Sequence, residues 1–404
     1  MRSKKVFWLI GLIAIAAVLM TACGGQTPAA EEPTEAEEFV FGVILVGPKN
    51  DRGWSQAHFE GGQYIEQNIE NSRMIVFESL NPADKPEATV EGVVDEMVEQ
   101  GAKLIFLTSD EFEEDTVGAA NKYPDVTFIM VSGDDAWREG RDWGKAPSNV
   151  GNIMGRMEDM KAVAGCAAAL TTQTGKIGYV GPLINYETRR LVASTYLGAR
   201  YCYENYRGLN PDDLEFTVTW IGFWFNIPGV TLDPTEVVNQ FLDSGIDVVM
   251  SGIDTTEAID VTGQRAAQGA EVFAIPYDFR NACDQAPDIC LGVPYFNWGP
   301  SYLAAAQSVI DGTWEQDFEW LPPYWEDLNN LDRSHVGWVT GPGMSDTANL
   351  EDFISKLASG EVNVWTGPIV LQDGTTLVGE GEVATDLQIW YLEKLPEGVI
   401  GPSE

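Results

Sequence analysis

One aromatic side chain stands where the sequence predicts a ligand-binding loop. The apolar, β-branched run Phe41–Val46 ends at a Gly-Pro pair and predicts a buried strand. A polar loop then leads to Trp54, and Ser55 is a suitable N-cap for a helix over about Gln56–Glu70. In open α/β sheets, ligands bind at such strand-to-helix loops. Trp54 therefore offers a large, flat side chain to a ligand at a predicted binding position; packing against the helix is the alternative.

Polar side chains near the ends of predicted strands could bind the edge of such a ligand. The candidates are Asn50, Asp51, Thr108, Ser109, Asp254 and Asp278. The carboxylates of Asp254 and Asp278 could accept hydrogen bonds from N–H groups of a ligand, and the hydroxyls of Thr108 and Ser109 could bond to its polar atoms. A helix N-cap is the alternative role for Asp254. Turn formation is the alternative for the loop pair Asn50 and Asp51.

No pattern in the sequence predicts catalysis. The chain contains no G-x-S-x-G elbow and no P-loop. His58 and His335 are the only histidines, and no C-x-x-C spacing occurs, so a zinc site is not expected. The sequence predicts binding without chemistry and without a cofactor.

Strands and helices alternate along most of the chain, which indicates two parallel sheets wrapped by helices. The predicted strands are Val40–Val46, Met74–Glu78, Lys103–Thr108, Val126–Ser132, Ile177–Val180, Glu215–Trp220, Asp247–Ser251 and Glu271–Pro276. The predicted helices are Gln56–Glu70, Glu87–Gln100, Phe112–Lys122, Glu187–Tyr206, Pro234–Leu242 and Glu257–Gln268. After residue 290 the alternation breaks, with helices expected over Tyr302–Ile310 and Asn349–Leu357 and a short strand at His335–Trp338.

The N-terminus predicts export and a lipid anchor. Basic residues precede the apolar run Val6–Met20, and small residues lead into Cys23, which predicts a signal peptide over residues 1–22 and a lipidated Cys23. The run is short for a spanning helix, which argues against an uncleaved membrane anchor. Residues 23–38 are polar, acidic and contain proline, as is typical of a disordered tether. The folded part is expected to face the extracytoplasmic side of the cell membrane.

The four remaining cysteines form an even set in a compartment where disulfides persist. Cys283 and Cys290 flank a short loop and are close enough in sequence to pair. Cys166 and Cys202 lie on separate predicted helices and could pair across them. Four buried free thiols are the alternative.

The charge balance limits the partners. The chain has 62 acidic and 24 basic residues and a net charge of −38, which repels nucleic acid and anionic lipid and favours solubility. A monomer that binds no nucleic acid is expected. The hydrophobic fraction of 44% still fills a sizeable core, and the length suggests two domains.

Several segments, taken in order, resemble the Bmp family of substrate-binding lipoproteins, whose members deliver purines or nucleosides to ABC importers. They include NDRGWSQAHFEG, LIFLTSDEFEED, NVGNIMGRMEDMKAVAG, FWFNIPG, YFNWGPSYLAAAQSVIDGTW and NVWTGPIVLQDG. The resemblance covers nearly everything after residue 38. The version with NVWTGP is most similar to the purine-base branch of the family.

The resemblance implies a type I periplasmic-binding-protein fold, in which two Rossmann-like α/β lobes share a hinge that the chain crosses three times. We expect the first lobe over residues 39–155 and 293–335, and the second over 156–292 and 336–404. The crossings are expected near Gly151–Lys161, Gly292–Pro300 and Val336–Pro342. Two lobes joined in this way can close over a ligand.

The resemblance also implies one aromatic ring on each lobe against the two faces of a purine. Trp54 is the candidate on the first lobe, and Trp224, just beyond a predicted strand, is the candidate on the second. Stacking contributes about 1–3 kcal/mol per face. Packing of an inter-lobe loop is the alternative for Trp224.

One segment departs from the family pattern. After Thr108-Ser109 the family usually has Phe or Gly and few charges, whereas here an acidic run occupies residues 110–115. Most of these acids are expected at a helix N-terminus, where the helix dipole favours them. If Asp110 faces the cleft instead, a ligand with a positive charge or extra donors is predicted.

These features predict a membrane-tethered substrate-binding protein that captures a purine base or nucleoside and passes it to an ABC permease. The alternative is a surface lipoprotein that binds a sugar, a cationic metabolite or a protein partner. Trp314, Trp320 and Trp325 lie in an acidic segment and could form an exposed patch for such a partner.

Overall fold

Two parallel β-sheets organise residues 38–404, the part of the chain that the computed structural model describes. The predicted signal peptide, most of the predicted tether and Cys23 lie outside the described residues. The strands are β1 Phe39–Leu45, β2 Ser72–Phe77, β3 Leu104–Thr108, β4 Thr127–Met130, β5 Val150–Gly155, β6 Lys176–Gly181, β7 Glu215–Trp220, β8 Val248–Ser251, β9 Phe273–Ile275, β10 Gly292–Phe296, β11 Phe318–Leu321, β12 Val336–Thr340, β13 Ile369–Val370, β14 Thr376–Val378 and β15 Val399–Ile400. The helices are α1 Trp54–Asn68, α2 Val90–Glu99, α3 Glu113–Lys122, α4 Met157–Thr171, α5 Tyr186–Asn205, α6 Pro234–Asp243, α7 Glu257–Ala267, α8 Gly299–Ile310, α9 Thr347–Ser359 and α10 Asp386–Trp390.

The first lobe is built on a six-stranded sheet in the order β11-β5-β4-β3-β1-β2, and all of its pairs are parallel. Every residue of β1 is buried, since the strand is covered on both faces. A continuous apolar run such as FVFGVIL is what that position requires. The carboxyl ends of β1 and β3 lie side by side, because Leu45 pairs with Thr108.

The second lobe is built on a five-stranded parallel sheet in the order β15-β7-β6-β8-β9. Its central strands β6 and β8 are almost wholly buried. Helices α4 and α5 pack closely together beside this sheet, and Gly165 and Gly198 allow their backbones to approach, since a Cβ at either would overlap the facing helix.

The chain passes between the two sheets three times. It leaves the first sheet after β5, returns through β10 to α8 and β11, and crosses again through β12 to α9 and β15. Strands β10 and β12 pair antiparallel as a separate two-stranded ribbon. These crossings give the two-lobed arrangement with a three-crossing hinge that the sequence predicts. The lobe boundaries at residues 155/156, 292/293 and 335/336 stay a prediction.

The predicted elements up to residue 275 are present, with ends that differ by a few residues. The sequence missed β11, which pairs in parallel with β5 and extends the first sheet. It also missed the elements after residue 360, where β13, β14 and α10 pack around a small core of their own. These strands have two to four residues, which is too short to show a period.

The predicted exposed tryptophan patch is wrong. Trp314, Trp320 and Trp325 are partly buried and pack against the main hydrophobic core. The guanidinium carbon of Arg156 lies 4.1 Å from the centroid of the Trp320 ring. β11 places this tryptophan against the core, so its ring is used largely in packing.

The structure joins the cysteines in pairs, Cys166 with Cys202 and Cys283 with Cys290. Their Cα atoms are 5.1 Å and 5.5 Å apart, within the range that a disulfide requires. The first pair links α4 to α5, and the second closes the loop between β9 and β10. Among residues 38–404, no helix combines the length and the apolar character needed to cross a bilayer.

Candidate ligand-binding site

A cavity lies between the two lobes, at the carboxyl ends of strands from both sheets. The space between its lining atoms amounts to about 340 Å³ when the part open to solvent is included, and about 20 Å³ of it admits the centre of a water-sized sphere. Its lining residues are Val46, Trp54, Ser109, Asp110, Ser132, Glu187, Trp224, Asp254, Tyr277 and Asp278. The first five come from the first lobe and the rest from the second. The two parallel sheets therefore present their ligand-binding edges to one shared cavity.

Trp54, the first residue of α1, is held on its first-lobe side by other aromatic rings. Its ring contacts His58, Phe296 and Trp298 edge to face, with centroids 4.4 Å, 5.2 Å and 5.5 Å away. Its indole Nε1 donates a hydrogen bond to the carbonyl oxygen of Thr108 at 2.7 Å. These contacts fix the ring position before any ligand arrives.

The loop before Trp54 is held by Asp51. Its carboxylate accepts backbone N–H bonds from Gly53, Ser55 and Gln56, each at 2.9 Å. The expected N-cap role of Ser55 is wrong. α1 begins at Trp54, with Gly53 as its N-cap residue, and Ser55 Oγ accepts a hydrogen bond from Gly47 N at 3.0 Å. Burial raises the pKa of Asp51 to about 6, although the three N–H bonds act against this.

The two lobes approach most closely beside Trp54. A Cβ at Gly53 would overlap the backbone carbonyl oxygen of Asp254 on the second lobe, so only glycine permits this contact. Ser132 Oγ on the first lobe donates to Glu187 Oε2 on the second at 3.2 Å. The lobes are in contact on both sides of the cavity.

Trp224 lies opposite, in the irregular loop after β7. The backbone N–H of Asp254 donates to the Trp224 carbonyl oxygen at 3.0 Å. The indole Nε1 donates to Oδ1 of Asp110, on the first lobe, at 3.2 Å. The neighbouring Phe225 packs against the first-lobe core, so this loop reaches across the cleft.

Asp278 is the most unusual residue of the cavity. Its backbone φ is +68°, a left-handed conformation that costs a non-glycine residue about 1–3 kcal/mol and that clusters at functional sites. Its side chain is fully buried, and neither oxygen makes a hydrogen bond of good geometry within residues 38–404. A buried acceptor without a partner is costly, so a ligand donor would stabilise it.

Burial and crowding of carboxyl groups govern the electrostatics. Burial, followed by the charges of neighbouring acids, raises the pKa of Asp254 well above its ordinary value. Burial likewise raises the pKa of Glu187 to about 7, and Arg190 acts against this. Burial also raises the pKa of Asp278 well above its ordinary value, although Lys161 opposes the shift. Protonated carboxyl groups can donate as well as accept hydrogen bonds.

Lys161 is the cation beneath the cavity. Its Nζ donates to the Ser251 carbonyl oxygen at 2.9 Å and lies 3.2 Å from the centroid of the Tyr277 ring. Burial lowers the pKa of Lys161 to about 7, while the charges of Asp278 and Glu187 act against this.

The structure brings together five of the eight candidates proposed from the sequence. Trp54, Ser109, Trp224, Asp254 and Asp278 line the cavity. Asp51 lies behind it as a helix cap, as described above.

The other two candidates lie away from the cavity. Thr108 is buried in the sheet, where its hydroxyl donates to the Ile44 carbonyl oxygen at 2.8 Å, and Asn50 is exposed. The N-cap alternative for Asp254 is not realised, because α7 has Thr256 as N-cap and no side chain caps it.

Sequence reasoning missed Val46, Ser132, Glu187 and Tyr277 as lining residues. Three of them adjoin predicted strand ends, which is a signal that could have nominated them. Glu187 had no local signal beyond its place in the first turn of a helix. The acids Glu113, Glu114 and Asp115 do lie in the first turn of α3, as expected, whereas Asp110 lines the cavity.

One acidic cluster stands outside the cavity lining. Glu113, Asp134 and Asp142 each bring a carboxylate oxygen within 4.8 Å of the others. Burial and the charges of nearby acids raise the pKa of Glu113 to about 7. Acidic side chains commonly cluster on a protein of this charge, and nothing else at this place indicates a cation.

Two α/β lobes with a hinge crossed three times, and one cavity between them, define a solute-binding protein of the type I periplasmic fold. A family model described as "ABC transporter substrate-binding protein PnrA-like" matches residues 39–317. The chain belongs to this family, the Bmp family. Its members bind a small molecule for an ABC permease and are not enzymes.

Relatives agree with this assignment, and a solved structure agrees with the fold. The chain is 30% identical over 358 residues to a purine-binding protein of Brucella abortus (strain 2308), covering 87% of this chain and 89% of the relative. It is 26% identical to a Haloferax volcanii protein provisionally named as an ABC transporter glucose-binding protein. That match covers 71% of this chain and 65% of the relative. An ABC transporter solute-binding protein from Aeropyrum pernix K1 matches with a TM-score of 0.62 at 17% identity, covering 80% of this chain and 92% of that one. That structural likeness concerns the fold.

Proposed function

We propose that this protein captures a purine base or nucleoside between Trp54 and Trp224 and delivers it to an ABC permease. The observation that carries the proposal is that these two rings, from opposite lobes, line one cavity. A purine gains dispersion and loses contact with water on both faces when it lies between two aromatic rings. The 30% identity to a purine-binding protein supports the same ligand class.

The carboxyl groups suit the edge of a purine. Within residues 38–404, the two buried oxygens of Asp278 make no hydrogen bond of good geometry, and Asp254 lies nearby in the same lining. Because burial raises both pKa values, each group takes up a proton more readily than an exposed aspartate does. A protonated carboxyl group donates through its O–H and accepts through its other oxygen. A purine edge offers this same pairing of an N–H donor with a ring-nitrogen acceptor.

A sugar is the second candidate ligand. Sugars also stack on tryptophan, and the carboxyl groups of the lining could accept from hydroxyl groups. The relative with a glucose-binding name, at 26% identity, favours including it. The binding test should therefore cover both classes.

The experiment is identification of the bound ligand, followed by titration. Mass spectrometry of small molecules that co-purify with the protein should find a purine or a nucleoside. Calorimetric titration with adenine, guanine, hypoxanthine, their nucleosides and glucose should then give binding with at least one purine. Binding of glucose with no response to any purine would refute the proposal.

The anchor is a separate part of the proposal. We infer that Cys23 becomes the lipidated first residue and that residues 24–38 act as a tether. Cys23→Ala should release the protein from the membrane fraction while its thermal unfolding stays unchanged. A variant that remains firmly membrane-bound would rule out lipidation at Cys23.

A further inference from the structure

Asp110 is an acidic side chain whose contacts join the two lobes. It begins the single helical turn Asp110–Phe112, directly after β3, and lines the cavity. The acidic run that it begins is the place where the chain departs from the pattern of the family it resembles. Its carboxylate could bind a cationic ligand, but both of its oxygens already have protein partners.

Both partners belong to the second lobe. Oδ2 accepts from the side-chain amide of Asn185 at 2.9 Å, and Oδ1 accepts from the indole Nε1 of Trp224 at 3.2 Å. Asn185 is the N-cap of α5, where its Oδ1 accepts from Thr188 N at 2.9 Å. This one carboxylate therefore positions both the Trp224 ring and the N-cap residue of α5. Hydrogen bonds to an ionised acceptor are stronger than neutral ones.

We propose that Asp110 is a positioning residue that holds the Trp224 ring across the cleft, in the ligand-free protein as well as with ligand bound. The loop that carries Trp224 has no regular secondary structure, and the bond from Asp254 N fixes its backbone only. Within residues 38–404, the Trp224 side chain makes its hydrogen bond to Asp110. The expected effect of Asp110 on purine affinity rests on the proposed function, whereas the hydrogen bond between Asp110 and Trp224 does not.

The groups facing Asp110 are acidic on every neighbouring element. They are Glu111 on its own turn, Glu113 on α3, Glu187 on α5 and Asp254 after β8. Burial, and then the charge of Glu111, raises the pKa of Asp110 to about 6. The carboxylate is thus ionised above about pH 7 and gains a proton below about pH 5, which weakens its acceptance of the two bonds.

The first test needs no ligand. In protein labelled with ¹⁵N at tryptophan, the indole resonance that disappears in Trp224→Phe belongs to Trp224. In the ligand-free full chain this resonance should shift in Asp110→Ala, and in the wild type it should titrate with a midpoint near pH 6. Glu111→Gln removes a neighbouring, exposed charge and should leave the resonance at pH 8 in place. A Trp224 resonance that is the same in wild type and Asp110→Ala would overturn the proposal.

The second test separates positioning from direct ligand contact. Asp110→Ala should weaken adenine binding about tenfold, the size of one lost charge-assisted hydrogen bond. Trp224→Phe keeps a ring without the N–H, and Asn185→Ser keeps a capping oxygen without the amide donor. With both of these changes present, adding Asp110→Ala should have little further effect. A further tenfold loss in that background would mean that Asp110 binds adenine directly and would overturn the proposal.

A result against the proposed function can be distinguished from a result against the role of Asp110. If adenine does not bind the wild type, the purine assignment loses support and the indole resonance alone decides the role of Asp110. If Asp110→Ala does not fold, Asp110→Asn serves instead. It keeps an acceptor for Trp224 and places an amide against that of Asn185, so it should abolish the titration near pH 6 while retaining part of the shift.

Discussion

The two walls of the cleft hold their tryptophans in different ways. Trp54 contacts three aromatic rings of its own lobe and the hinge, and its N–H is bound within the first lobe. Trp224 sits in an irregular loop, and its N–H is bound to Asp110 on the opposite lobe. The first ring is positioned by packing within the lobe, whereas the second depends on contact between lobes.

This difference suggests a division of roles. A ring that is already fixed loses no further conformational entropy when a ligand binds. Where contact between the lobes orders the ring, the affinity for the ligand depends on closure of the cleft. We therefore expect the first lobe to receive the ligand and the second lobe to cover it. The following predictions test that contrast, beginning with the largest expected effect.

Removing each ring should affect folding stability unequally. Trp54→Ala leaves a void beside His58, Phe296 and Trp298 and should lower the free energy of unfolding by about 3–5 kcal/mol. Both rings are partly buried, but Trp224 lies in an irregular loop, so Trp224→Ala should cost under about 1 kcal/mol. Denaturant unfolding of the ligand-free proteins measures both. Equal losses would remove the contrast between the two walls.

The disulfides should stabilise the second lobe alone. Loss of the Cys166–Cys202 link, with a sequence separation of 36, should cost about 4 kcal/mol, and loss of the Cys283–Cys290 link, with a separation of 7, about 2–3 kcal/mol. Alkylation and peptide mapping should find all four cysteines oxidised in the exported protein. Hydrogen exchange after reduction should rise in β6–β9 and stay unchanged in β1–β4; a rise in both sheets would contradict this.

Both rings should matter for affinity. Trp54→Ala and Trp224→Ala should each weaken purine binding by about 1–3 kcal/mol, or roughly ten- to a hundredfold. Either Phe variant should lose less, because it keeps an aromatic face. The double Ala variant should lose less than the sum, since a base exposed on one side is already poorly held. Calorimetric titration of adenine measures these values, and unchanged affinity in both Ala variants would leave the rings as packing residues.

Local sequence signals were enough to place eight strands before residue 277 and three site residues. Trp54, Asp254 and Asp278 each follow an apolar run that becomes a buried strand. A parallel strand buried on both faces needs a continuous apolar sequence, and its carboxyl end leads into the ligand-binding edge. These are properties of short segments, so the sequence alone determines them.

Contacts between distant segments were decided by the tertiary structure alone. The rings around Trp54 include Phe296 and Trp298, which the hinge brings back from more than 200 residues away. Asp110 meets its partners only because the lobes face each other. Strand β11 joins the first sheet through its register with β5, although four residues show no period of their own. Such pairings depend on the free energy of the whole packed chain, which cannot be inferred from any short segment.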